Sequence, residues 1–173
     1  MWSCPGDIVL LQNEVNNLPY IMEHAHRKGF RPAVNPSPIT PVLLKVPPEY
    51  ADYLILNEIE GAQIADFTGN YPEIPEKLSE KFPNTAIVLT LGSQGVLYRD
   101  ARQTAREHCF PVATVDTTAA GDTFCGYFLA GCLEGLSVQD CLTLASQAAA
   151  ITVTKAGASA SIPTRDEVRA YRF

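Results

Sequence analysis

The chain has 173 residues, 46% of them hydrophobic and 18% charged, with a formal net charge of −6. That composition fits a soluble globular domain with a single core, and its acidic balance gives no electrostatic reason to bind nucleic acid or an anionic membrane. No run approaches the ~20 consecutive apolar residues that cross a bilayer.

In chain order, Ile8-Val9-Leu10-Leu11 is a continuous apolar run, as expected of a strand covered on both faces. Asn16 or Asn17 can cap the next helix, with Pro19 in its first turn and Gly29 past its end. Pro32–Asn35 is a weaker strand candidate, and Tyr53–Leu56 and Ala86–Thr90 are stronger ones. Short helices are predicted after Asn57 and from Ile74 to Phe82. Strands separated by helical crossovers imply a largely parallel sheet. Gly92-Ser93-Gln94-Gly95 then offers a tight turn before Val96–Tyr98, which suggests an antiparallel edge there. Phe124–Leu133 and Ser137–Thr154 read as two apolar, small-residue helices, with Gly126, Ala130 and Gly131 allowing close packing. Pro163-Thr164-Arg165-Asp166 opens a terminal helix, and Pro36 to Pro48 is a proline-rich irregular loop.

The N-terminal residues lack the basic and apolar regions of a secretion signal. Cys4, Cys109, Cys125, Cys132 and Cys141 are odd in number and contain no CxxC pair, which suits a reduced, cytoplasmic setting and no structural zinc. Cys125 and Cys132 read as packing residues. The histidines form no cluster. No G-x-x-x-x-G-K-[ST], G-x-G-x-x-G or G-x-S-x-G occurs, which sets aside P-loop NTPases, dinucleotide-binding dehydrogenases and the common serine hydrolases.

The segment that carries chemistry is Asp116-Thr117-Thr118-Ala119-Ala120-Gly121-Asp122-Thr123-Phe124. It is a small-residue turn feeding an apolar helix, whose N-terminal N–H groups and dipole favour an anion. Asp122 is there either a helix cap or a functional carboxylate beside a phosphate site.

This segment resembles the C-terminal signature of the ribokinase family, the PfkB-type sugar kinases. Asn35-Pro36-Ser37-Pro38, Asn57-Glu58-Ile59-Glu60, Thr90-Leu91-Gly92-Ser93-Gln94-Gly95 and Thr152-Val153-Thr154-Lys155-Ala156-Gly157-Ala158 follow in that family's order. The resemblance spans about Asp7 to Val168. It enters in mid-family, so the N-terminal half, with most of the sugar pocket and the β lid, has no counterpart in these residues.

The resemblance implies an α/β fold, a three-layer α/β/α sandwich on a mainly parallel sheet, with residues 1–173 forming one C-terminal nucleotide-binding and catalytic part. It implies that Asp122 is the base that deprotonates a sugar hydroxyl as it attacks the γ-phosphate of ATP, with an anion hole from the N–H groups of Ala120, Gly121 and Asp122. Asn57 and Glu60 would organise Mg²⁺ through water, Asn57 also facing the nucleotide. The same pair could equally form a capping box. Thr90, Gly92, Ser93 and Gly95 match the nucleotide loop, although a hairpin demands glycines in any case, and Ser146 matches the adenine-side helix. Asp116, Thr118, Thr152, Lys155, Gly157 and Ser161 match the positions that hold K⁺, mainly through backbone oxygens. Glu14 matches a sugar-contacting carboxylate.

MgATP and a small sugar are the implied partners, with a homodimer only in complete members. D-Ribose is the sugar the resemblance puts first. Fructose and 2-keto-3-deoxygluconate are the alternatives within the enzyme class. A truncated, non-catalytic nucleotide-binding module is the alternative outside it. Ala119 stands where many members have glycine, which is tolerable unless φ is positive there.

Overall fold

The computed structural model describes residues 4–13, 15–39 and 48–173. Glu14 and most of the proline-rich loop therefore lie outside the described residues. Six strands form one sheet in the order β1-β2-β3-β4-β5-β6: β1 Ile8–Gln12, β2 Arg31–Asn35, β3 Tyr53–Asn57, β4 Ala86–Thr90, β5 Val96–Arg99 and β6 Thr104–Glu107. The helices are α1 Leu18–Arg27, α2 Glu58–Ala65, α3 Ile74–Lys81, α4 Ala120–Leu133, α5 Val138–Thr152 and α6 Arg165–Ala170. The first four strands pair in parallel, with Gln12 opposite Asn35 and Asn57 opposite Thr90 at their carboxyl ends. The expected α/β fold on a mainly parallel sheet is therefore present.

Two compact units divide the chain, residues 1–91 with 97–104 and residues 92–96 with 105–173. In the first, Leu54 and Leu56 of β3 and Ile87 and Leu89 of β4 join Leu18, Met22, Ile74 and Leu78 of the helices in one apolar cluster. The alternate residues Ile55 and Val88 are buried as well. With successive side chains pointing to opposite faces, β3 and β4 are covered on both, as their unbroken apolar runs predict. β1 departs from that expectation. It takes the edge of the sheet, and Leu10 is 44% exposed while Leu11 is 6% exposed, so only one of its faces is covered among the described residues.

The helix boundaries follow local chemistry. α2 opens with a complete capping box: the Asn57 side chain accepts from the N–H groups of Ile59 and Glu60, and Glu60 accepts from the Asn57 N–H. α3 starts with Pro75 in its first turn. Gly61 of α2 is pressed against its neighbours, since a Cβ there would lie 2.8 Å from both Ile74 and Leu89. α1 begins after Asn17 as expected, but Asn17 adopts φ 61 and makes no side-chain cap, because its backbone conformation rather than its amide turns the chain.

In the second unit, α4 and α5 pack as a helical hairpin. Phe124, Phe128 and Leu129 are buried from α4, and Leu142, Ala145 and Ala148 from α5. Gly131 is the close-packing glycine, with an added Cβ falling 2.9 Å from the Cys141 sulfur, whereas Gly126 faces open space and its predicted packing role is corrected. α6 carries its own capping box on Thr164 and Glu167 and buries Val168 against Ala148 and Ile151.

Candidate active site

The carboxyl ends of the parallel strands carry a row of half-buried polar residues, Gln12, Asn35, Asn57 and Thr90, each the last residue of its strand. In open α/β sheets ligands lie outside this end. Asn35 accepts from the Ser37 N–H at 3.2 Å, and the Ser37 hydroxyl donates to Glu60. Glu60 is only 7% exposed, and both of its oxygens accept from the protein, one from Ser37 and one from the Asn57 N–H. The capping-box reading of Asn57 and Glu60 is therefore realised, and each Glu60 oxygen keeps a second lone pair beyond the hydrogen bond it accepts. Thr90 donates to the Leu56 carbonyl at 3.3 Å. Ser37 is the participant that the sequence did not reveal as a partner of Glu60. Its signal was the polar residue two positions past a strand end.

The first unit also holds an open cavity of about 310 Å³ lined by Arg31, Asp52, Tyr53, Asn84, Tyr98 and Arg102, among others. Burial raises the Asp52 carboxyl pKa, against the lowering influence of Arg31 and His26. Arg31, Tyr53 and Ala86 begin their strands, so this cavity sits at the amino ends, opposite the polar row. It is a poor candidate for the chemistry on that ground.

In the second unit, Gly92 has φ 53 with open space around it, and Gly95 has φ 93 with a would-be Cβ 2.0 Å from the Glu107 carbonyl oxygen. Gly95 is thus required by the backbone itself, whatever the loop binds, and Ser93 beside it is exposed. The loop runs as one 3-10 turn, Gly92–Gln94, into β5. The edge strand beyond is β6, Thr-Ala-Arg-Glu, which the sequence reading passed over because it is polar.

The Asp116–Phe124 segment forms the entry to α4. Ala119 is the N-cap residue, in the left-handed conformation at φ 62. Asp122 is therefore the third residue of the helix and not its cap, and it is exposed. Gly121 is also exposed, and no heavy atom lies within 4 Å of where its Cβ would be. The Ala120 N–H donates to the Thr117 carbonyl at 3.3 Å, and the Thr123 N–H to Ala119 at 2.8 Å. A 14-residue helix thus presents its positive end, with an exposed carboxylate in its first turn. The Cys125 thiol is pushed up to about 12 by burial and, second, by the Asp122 charge. Cys125 is thereby no ready nucleophile.

Asp116 ties this turn to the segment after α5. One oxygen accepts from the Thr118 N–H at 2.9 Å and hydroxyl at 2.7 Å, and the other from the Gly157 N–H at 3.0 Å. The Thr118 and Gly157 N–H groups, with the Thr118 hydroxyl, lower its pKa to about 2. The Val153 carbonyl accepts from the N–H groups of Val115 and Asp116. Thr152 and Ser161 are buried, their hydroxyls turned inward to the Ala148 and Ala158 carbonyls. A hydrogen bond of 3.0 Å also joins the Thr152 and Thr123 hydroxyls. The Lys155 ammonium reaches Glu167 at 3.4 Å. Of the predicted cation set, only backbone oxygens thus remain suited to that task. Ser146 is buried on α5. No group of three or more His, Cys, Asp or Glu residues fit to hold a metal occurs among the described residues, and none of their helices is long and apolar enough to cross a membrane.

Comparison with known proteins places this geometry in context. Residues 12–165 match the family described as pfkB family carbohydrate kinase. A ribokinase of Schizosaccharomyces pombe is 35% identical over 96% of this chain and 54% of its own length. Among solved structures, ribokinase from Thermotoga maritima superposes with a TM-score of 0.83 at 33% identity, over 95% of this chain and 56% of that one. Arabidopsis thaliana ribokinase, complexed with ribose and ATP, gives a TM-score of 0.85 at 28% identity, over 94% of this chain and 54% of that one. The chain spans about half the length of the curated relatives it matches.

Proposed function

The chain belongs to the pfkB family of carbohydrate kinases, and on that premise we propose that residues 1–173 supply the nucleotide-binding, catalytic part of an ATP-dependent sugar kinase. The observation that carries the proposal is the exposed Asp122 carboxylate in the first turn of α4, inside the matched region. Asp122 takes the proton of a sugar hydroxyl, which frees the oxygen to attack the γ-phosphorus of ATP. Charge developing on the transferred phosphoryl group is met by the backbone N–H groups of Gly121 and Asp122 and by the helix dipole, whereas the Ala120 N–H already donates to the Thr117 carbonyl and joins only if that turn bond opens. Fixed donors of this kind cost no reorganisation during the reaction and are typically worth about 3 kcal/mol each. The remaining contribution is positioning.

Magnesium supplies charge neutralisation between the phosphates. Asn57 and Glu60 are assigned to that ion as outer partners through water, the Asn57 oxygen already accepting from the N–H groups of Ile59 and Glu60. A Mg²⁺ that keeps its waters suits such a pair. The Thr90–Gly95 loop and Ser146 are assigned to the nucleotide, and Glu14 to the sugar. Backbone oxygens of Asp116, Thr118, Thr152, Lys155, Gly157 and Ser161 are assigned to K⁺. The sugar is D-ribose, a choice supported by the ribokinases among the relatives.

Three measurements test the reading. A non-hydrolysable MgATP analogue titrated into the chain in K⁺ buffer should bind saturably, one to one. A folded sample that binds none overturns the nucleotide assignment. In a protein of full family length, Asp122→Asn should lower ribose phosphorylation by about 10²–10⁴-fold, the usual contribution of a positioned base, with nucleotide affinity retained. An unchanged rate removes Asp122 as the base, and equal turnover in K⁺ and Na⁺ removes the cation.

A further inference from the structure

Away from Asp122, the α4–α5 hairpin brings two thiols together. The Cys132 sulfur, in the last turn of α4, lies 4.0 Å from the Cys141 sulfur in the first turn of α5. Cys132 is half-buried and Cys141 is buried. The approach is built into the backbone. Gly131 leaves no room for a side chain, since its Cβ would fall 2.9 Å from the Cys141 sulfur and 3.5 Å from the Cys141 Cα. The connection is closed by the Leu136 N–H on the Gly131 carbonyl at 3.1 Å and the Gly135 N–H on the Cys132 carbonyl at 3.3 Å.

We propose that Cys132 and Cys141 form an oxidative modification site, closing to an intrachain disulfide in the folded protein when it meets a peroxide. The sulfurs must move from 4.0 Å to about 2.05 Å, the length of a disulfide. The order of events follows from exposure. The partly accessible Cys132 sulfur, as thiolate, attacks one oxygen of hydrogen peroxide. The O–O bond breaks, hydroxide leaves and takes up the thiol proton as water, and Cys132 becomes a sulfenic acid. The Cys141 sulfur then attacks the Cys132 sulfur. The S–O bond breaks, and the departing hydroxide takes the Cys141 proton as a second water. Two thiols have lost two electrons and one peroxide has gained them.

Burial, with Cys132 next in influence, pushes the Cys141 thiol up to about 12. This suits Cys141 to the second step, where the partner is already in contact, rather than to the first. Cys4 and Cys109 are exposed and serve as internal gauges of oxidant exposure.

The reduced chain is treated with hydrogen peroxide, quenched by alkylation and digested with chymotrypsin. Cleavage after Leu133 or Leu136 separates the two cysteines, so peptides that remain joined prove the bond. The expected result is a Cys132–Cys141 link that a thiol reductant reverses, formed in native buffer faster than in urea. The oxidised form should melt roughly 5 °C higher, as closure of a short loop predicts. Cys141→Ser should leave Cys132 as a sulfenic acid that a dimedone probe traps, whereas the wild-type chain gives little adduct at Cys132. The inference is overturned by free Cys132 and Cys141 in a sample whose Cys109 has been oxidised. A link that forms only in urea, or that lowers the melting temperature, overturns it equally. The wild-type readout requires no variant to fold.

Discussion

Replacing Ala119 with glycine removes a side chain from a backbone conformation that penalises it. Ala119 holds φ 62 and ψ 5 at the entry to α4, immediately before the Ala120–Asp122 donors. An L-residue in the left-handed region costs about 1–2 kcal/mol, which glycine avoids. Against that gain, glycine adds freedom to the unfolded chain worth about 0.4–1 kcal/mol. Ala119 is outside the helix interior, so helix propensity takes nothing further. The net expectation is stabilisation by about 0.5–1 kcal/mol. With a urea slope of about 2 kcal/mol per molar, the midpoint should rise by about 0.2–0.5 M. Urea unfolding followed by far-ultraviolet circular dichroism gives both quantities, and the slope should stay constant. Ala119→Val should move the midpoint the other way, because a β-branched side chain fits the left-handed region worse still. A midpoint that falls in Ala119→Gly, or Ala119→Val equal to wild type, refutes the reasoning.

The two glycines of the Gly92–Gly95 turn should separate two kinds of cost. Gly92→Ala meets open space and carries only the backbone penalty of about 1–2 kcal/mol. Gly95→Ala adds a collision with the Glu107 carbonyl and should cost about 1–3 kcal/mol more; equal unfolding midpoints would contradict this. The Asp116 carboxyl, lowered to about 2 in the folded chain, contributes stability that is fully present above its ordinary unfolded value near 4. That contribution is lost as pH falls through about 2. A carboxyl-carbon NMR titration should place the Asp116 midpoint near 2, and Asp116→Asn should speed hydrogen exchange at the Gly157 amide. A midpoint near 4 would remove the tie.

Local signals in this chain were legible where one short segment determined the outcome. Asn57 and Glu60 three residues apart announced their capping box, and Pro163–Asp166 the start of a terminal helix, whose own box on Thr164 and Glu167 the structure added. The apolar runs of β3 and β4 announced strands, whereas the both-faces burial expected of the similar run Ile8–Leu11 failed because β1 lies at the edge of the sheet. β6 escaped because a polar edge strand carries no apolar alternation. Asn17 looked like a cap by residue type, yet its backbone does the turning. The Ser37–Glu60 and Asp116–Gly157 hydrogen bonds join residues 23 and 41 positions apart, so no local pattern encodes them. Gly126 and Gly131 are alike in sequence, and only the position of α5 distinguishes the one that is packed. The long motif around Asp122 marks it as the candidate base, while its place as third helical residue rather than cap came from the conformation of Ala119.

The row Gln12, Asn35, Asn57 and Thr90 divides labour along each parallel strand. The buried apolar body of β3 and β4 sets stability, and a single half-buried residue at each tip meets whatever lies beyond the sheet. Exchanging a tip residue changes what the edge can recognise while the packed layers beneath keep their partners. Asn57 is the exception, because its side chain also caps α2, and losing that cap would cost about 1 kcal/mol. The other tips, Gln12, Asn35 and Thr90, are the positions where substitution disturbs the packed layers least.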